Sequence, residues 1–200
     1  MRKNFLVILL GTCLTGFSTY LCATTVEDNR PLTTIPSLDV ARYMGHWYEI
    51  AKFPNRFQKK CVGDTTAEYK LRPDGNLQVI NRCRLQDGQF EEVTGVARQV
   101  EERSSPKLKV RFAPAWLSFI PAVWGDYWVI DLDTDYQLAA ISEPNREYLW
   151  ILSRSPQVGP DVYDALLQRL HSKGFDTRKL EITDTADSVG ADKKTSGASN

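Results

Sequence analysis

Few residues of this 200-residue chain are of a type and spacing that could do acid–base, nucleophilic or metal chemistry. The two histidines, His46 and His171, form no metal-ligand cluster and no base–nucleophile pair. Asp131, Asp133 and Asp135 imitate the opening of a calcium loop. Tyr136 stands where that loop requires glycine, however, and Ser142 where it requires the terminal glutamate, so the run reads as a polar turn. Of the four cysteines, Cys13 and Cys22 fall in an apolar leader, leaving Cys61 and Cys83 as the pair expected to form a disulfide in an exported chain. No catalytic residue, metal or cofactor is therefore expected. The chemistry left to the chain is that of a binding surface.

The charges balance, 25 Lys and Arg against 25 Asp and Glu, so no net field draws the protein to nucleic acid. Arg2 and Lys3 precede the apolar run from Phe5 to Leu10, and residues 1–23 read as a secretory signal peptide too interrupted to make a membrane span. Lipidation at Cys22 is not favoured, because Leu21 occupies the position where lipoprotein processing takes a small residue. Residues 24–36 read as a linker, 37–183 as one domain, and 184–200, small and polar, as a disordered tail. The expected location is periplasm or outer membrane if the source is bacterial.

The elements that must position any site are short segments rich in aromatic and β-branched residues. Strands are expected at 47–53, 65–71, 77–83, 89–100, 108–112, 127–132, 137–142 and 147–153, separated by turns such as Pro73-Asp74-Gly75-Asn76 and Asp87-Gly88. Eight such strands in a meander predict an all-β fold: an eight-stranded antiparallel up-and-down β-barrel. Pro160 opens one helix, with Val162, Leu166 and Leu170 on the face that packs outside the barrel and Gly174 as its stop. Residues 179–183 are a candidate ninth strand.

Three motifs on these elements resemble those of the lipocalins, in particular the bacterial lipocalins and the apolipoprotein D group. They are Gly45-His46-Trp47 opening the first strand, Thr134-Asp135-Tyr136 between the sixth and seventh, and Arg154 ending the eighth. The resemblance spans almost the whole mature chain. It implies that the motifs meet at a closed end, with the Arg154 guanidinium over the Trp47 ring as a structural plug.

With Trp47 facing inward, strand alternation sends Glu49, Ala51 and Phe53 inward and Lys52 outward. The same alternation selects Tyr69, Val79 and Asn81, then Gly95, Ala97, Val110 and Phe112, then Tyr127, Val129, Tyr148, Trp150 and Leu152 as lining. Glu49 is either a satisfied structural group or a polar partner for a ligand head group or interior water. The connection 113–124 carries Trp116, Leu117, Phe119, Ile120 and Trp124 at the expected barrel mouth, where loops are normally polar. It is either a lid packed into the mouth or a surface that touches membrane or another copy of the chain.

The resemblance implies a carrier of fatty acid or lysophospholipid, active in membrane lipid maintenance or transport, as a monomer or weak dimer. Two other classes compete with it. One is a lipid- or isoprenoid-modifying enzyme on the same barrel, which free thiols at Cys61 and Cys83 would favour. The other is an envelope docking protein, which a barrel filled with side chains would favour.

Overall fold

The computed structural model describes residues 30–185. A short helix α1 (Val40–Tyr43) leads into β1 (Gly45–Lys52), β2 (Cys61–Leu71), β3 (Leu77–Leu85), β4 (Phe90–Gln99), β5 (Lys107–Arg111), β6 (Gly125–Leu132), β7 (Leu138–Ser142) and β8 (Leu149–Ser153). Each strand pairs antiparallel with the next, β8 pairs with β1, and β1 pairs with β2, so the eight strands form a closed barrel. Closure leaves no long unpaired edge. Helix α2 (Pro160–Ser172) and a two-residue strand β9 (Glu181–Ile182) follow.

The turns 72–76, 100–106 and 133–137 share one end of the barrel with α1, and the connections 53–60, 86–89, 113–124 and 143–148 share the other. Direct cross-strand pairs place Trp47, Ala67, Asn81 and Val93 in one inward row, and Gly45, Tyr69, Val79 and Gly95 in the next. Trp47, Tyr69, Val79, Ala97, Leu108, Val129, Ile141 and Leu152 form the interior cluster, which α1 caps through Tyr43.

A second cluster lies outside the wall, where α2 buries Leu166 and Leu170 against Ile130, Ala140, Leu149 and Ile151. Val162 is not part of it, being 56% exposed. Steps of four residues advance 400° around a helix, so a stripe read at 162, 166 and 170 drifts off the buried face, which Tyr163 and Leu167 complete. Gly159 and Pro160 open the helix, and Gly174, at φ +87°, supports its stop as the Phe175 N–H donates back to the Leu170 carbonyl at 3.1 Å.

A β-bulge in β1 changes which side chains reach the interior. Glu49 pairs with Leu152, and Ala51 already pairs with Ile151, so Ile50 is the extra residue and the alternation reverses beyond it. Ala51 and Phe53 therefore face the helix cluster, with the Phe53 ring 6.2 Å from Phe175, and Lys52 takes the inward phase beside Trp150. This corrects the inward placement of Ala51 and Phe53 and the outward placement of Lys52.

The residues flanking the domain are also packed. Leu32 joins the helix cluster, the Ile35 N–H donates to the Val129 carbonyl at 3.1 Å, and 30–36 thus lies against the wall. At the other end β9 pairs with β1, and the Asp64 N–H donates to the Asp184 carbonyl at 2.7 Å. The segment 181–184 so bridges β1 and β2 where they diverge. The expected leader and residues 186–200 of the tail lie outside the described residues.

Cys61 and Cys83 form a disulfide between β2 and β3, with Cα atoms 5.6 Å apart. For a loop of this length, chain-entropy reasoning gives the bridge about 3 kcal/mol of stability. Replacing both cysteines with serine should lower the unfolding free energy by that amount in urea titrations; a loss under about 1 kcal/mol would remove the bridge from the stability argument.

Candidate ligand cavity

At the closed end the three motifs converge on Arg154. Its guanidinium carbon lies 3.9 Å from the Trp47 ring centroid. Nη1 donates to the His46 carbonyl at 2.8 Å, Nη2 to those of Met44 at 2.8 Å and Arg42 at 2.9 Å, and Nε to that of Tyr136 at 3.3 Å. Gly45 allows this approach, having φ +96° and a position where a Cβ would sit 3.3 Å from Nη1 of Arg154. Tyr136 takes φ +60°, and its hydroxyl accepts the Asp39 N–H at 3.0 Å. The Thr134 carbonyl accepts from Arg42 at 2.8 Å, and the Asp135 carbonyl accepts from the Gln137 amide at 2.9 Å.

The acidic run is a turn and a helix anchor. Asp133 accepts the N–H groups of Gln137 and Leu138, each at 2.6 Å, and Asp131 holds Arg169 of α2 through two bonds of 2.9 Å. His46 stacks edge-on to Tyr48 on β1, while His171 is on α2.

Above the plug, three tyrosines form a hydroxyl chain: the half-buried Tyr127 is 2.7 Å from the buried Tyr43 and 2.9 Å from the buried Tyr69. Burial raises all three pKa values, that of Tyr69 from 10.0 to about 12; the Tyr69 phenol adds to the effect on Tyr43 while the Tyr127 hydrogen bond opposes it, and both neighbours add to the effect on Tyr127. Tyr69 and Tyr127 were expected in the lining, but Tyr43, their partner on α1, was not. A single tyrosine in a four-residue helix carries no periodicity that would single it out.

Higher in the barrel the inward side chains stay within reach of solvent. Val93, directly opposite Asn81, is 46% exposed, Phe112 is 44% exposed, and Asn81, Val110, Tyr127, Tyr148 and Trp150 are half-buried. Gly95 makes room for Phe112, since a Cβ there would lie 2.6 Å from its ring. On the opposite wall Trp150 stacks on Tyr148 at 5.8 Å and donates its indole N–H to the Gln58 side-chain oxygen at 2.9 Å.

Glu49 sits at the edge of that wall with both carboxyl oxygens occupied. One accepts from the Thr183 hydroxyl and the other from the Gln58 amide, each at 2.6 Å. Burial raises its pKa, opposed by these two bonds and by the Lys52 charge. The carboxyl group ties the 53–60 loop and the C-terminal segment to β1.

The connection 113–124 contains two 3₁₀ turns, Ala115–Leu117 and Pro121–Val123. It folds over the outer wall, with the Trp124 ring 4.3 Å from the guanidinium of Arg98. Trp116 and Phe119 are 72% and 77% exposed, and Leu117 and Ile120 are half-buried. The two exposed rings do not fill the mouth.

Residues 38–185 match the model of the Lipocalin-like domain. The chain is 43% identical to temperature-induced lipocalin-1 of Arabidopsis thaliana over 81% of its own length and 87% of that protein. It is 35% identical to the outer membrane lipoprotein Blc of Escherichia coli K12, over 88% and 94%, and 34% identical to mouse apolipoprotein D, over 75% and 78%. Among solved structures, insecticyanin from the tobacco hornworm Manduca sexta superposes with a TM-score of 0.60 at 21% identity, covering 78% of this chain and 86% of that one.

Proposed function

We propose, since this chain belongs to the lipocalin family, whose members bind small hydrophobic ligands, that it is an exported carrier of a fatty acid or lysophospholipid. The observation that carries this reading is the contrast along the barrel axis. The closed end is packed solid, whereas Val93, Phe112, Val110 and Trp150 face inward yet keep access to solvent. An acyl chain entering there would desolvate these side chains and its own methylenes, at about 0.8 kcal/mol per buried CH₂ before entropic losses. Such burial discriminates weakly among chain lengths. The polar edge formed by Gln58, Glu49 and Lys52 suits an amphiphile lying with its head toward the mouth.

The exposed rings of Trp116 and Phe119 support a second element of the reading, contact of the mouth with a lipid surface during loading or release. This fits export to an envelope or extracellular compartment and a role in lipid transport or maintenance. With Cys61 and Cys83 joined, no thiol of the barrel is available as a nucleophile, which favours carriage over catalysis.

Titrating the delipidated mature protein with oleic acid and with a lysophospholipid, while following tryptophan fluorescence, tests the carrier reading. Saturable quenching is expected, and Trp150→Phe should remove most of it. No saturable response to either lipid in folded protein would overturn the reading.

A further inference from the structure

We infer that a second, polar site lies outside the barrel wall: an oxyanion site built on Arg111 beneath the start of the 113–124 connection. The outward row Lys70, Gln78, Val96 and Arg111 runs across β2 to β5, each residue directly opposite the next. Residues 113–115 close over the end of this row and enclose a recess of about 300 Å³, whose polar side chains are Arg72, Gln78, Thr94 and Arg111. No Asp or Glu lines it.

Arg111 is the anomaly that gives the recess its chemistry. It is only 7% exposed, and its Nε is buried without a hydrogen-bond partner. One Nη donates to the Ala113 carbonyl, and the Trp124 ring lies 5.2 Å from the guanidinium carbon. No ion pair joins Arg111 to a carboxylate among the described residues, whereas Arg72 at the rim has Asp74 at 3.3 Å and Lys109 nearby has Asp126 at 2.7 Å. A buried cation without a counter-ion is costly, and a guanidinium with a free Nε edge offers the paired donors that a phosphate or carboxylate accepts. The Trp124 ring and the Ala113 carbonyl hold the fork in place, so little side-chain entropy remains to be lost on binding.

Phe112 belongs both to this recess and, by alternation from Leu108 and Val110, to the inner face of the barrel mouth. An anionic amphiphile could therefore keep its chain inside while its head reached over the rim to Arg111. The oxyanion is either the head group of such a lipid or a free organic phosphate. Only the first source rests on the carrier reading.

The test compares a lysophosphatidic acid with the monoacylglycerol of the same acyl chain, and adds glycerol 3-phosphate as the chain-free anion. Wild-type protein should bind the anionic lipid about tenfold more tightly than the neutral one, the worth of one charge-assisted pair. Arg111→Gln should bring the two within about twofold by weakening only the anionic lipid. Gln78→Trp, which fills the recess and leaves Arg111 in place, should do the same and stands in if Arg111→Gln fails to fold.

If neither lipid binds but glycerol 3-phosphate changes Trp124 emission in wild-type protein and not in the variants, the oxyanion site stands with a free anion as its ligand and the carrier reading falls. Equal binding of both lipids with no response to glycerol 3-phosphate overturns the site. A head-group preference that survives both substitutions overturns it as well.

Discussion

Arg154→Ala is expected to lower the unfolding free energy by about 4–5 kcal/mol, at the upper end of what single substitutions do. One guanidinium serves four backbone carbonyls, from Arg42, Met44, His46 and Tyr136, and covers the Trp47 ring. The cation–π contact contributes about 0.5–2 kcal/mol, and the four charge-assisted bonds contribute the rest, each less than its full worth because Arg154 is half-buried and water reaches some of the carbonyls once it is removed. Alanine would leave several of these oxygens without a donor and open the floor beneath Trp47. Lysine keeps the charge but not the fork, and should recover less than half of the loss. Urea unfolding of the three proteins measures this; a loss below about 2 kcal/mol for Arg154→Ala would mean that the plug is held by Trp47 packing alone.

The second large effect is expected at Tyr127, the middle member of the hydroxyl chain. Tyr127→Phe removes both bonds at once and leaves the Tyr43 and Tyr69 hydroxyls buried with a lost partner, at about 1–3 kcal/mol each. Tyr43→Phe and Tyr69→Phe each break one bond and should cost about half as much. Equal losses from the three substitutions would show that the chain is not a coupled unit.

The same residues set the alkaline limit of the fold. An unfolded tyrosine loses its proton near 10, while burial holds the Tyr69 proton to about 12 and those of Tyr43 and Tyr127 well above the usual value. Above pH 10 the native state binds more protons than the unfolded one, so stability falls as pH rises through the window from 10 to about 12. A denaturation midpoint that stayed flat from pH 10 to 12 would contradict this.

The order of strands and the turns between them were legible in the sequence, because each rests on local chemistry, whereas the meeting of the three motifs at one end was implied only by the family resemblance. Alternation marks a half-buried strand, and Gly and Asp mark turns. Tyr69, Val79 and Ala97 fell on the interior for the same reason, as the strand pairs that hold them run in register there, and Val129 does so because the bulge in β6 comes only after it.

What the chain could not disclose locally depends on contacts between distant segments. The bulge at Ile50 reverses Ala51, Lys52 and Phe53, and nothing in their types announces it; it goes with the outer cluster, where Ala51 and Phe53 pack with Leu166 and Leu170 of α2 and with Phe175 beyond it. Glu49 is satisfied by Gln58 and by Thr183, and the latter bond exists only because the C-terminal segment returns to β1. Arg111 lies between the inward-facing Val110 and Phe112, and it is a buried cation because the start of the 113–124 connection folds back over it. The periodicity of the strands thus determined the barrel, while bulges and returning segments, whose energies are summed over the whole tertiary structure, decided which side chains face the ligand and which are buried with their charge.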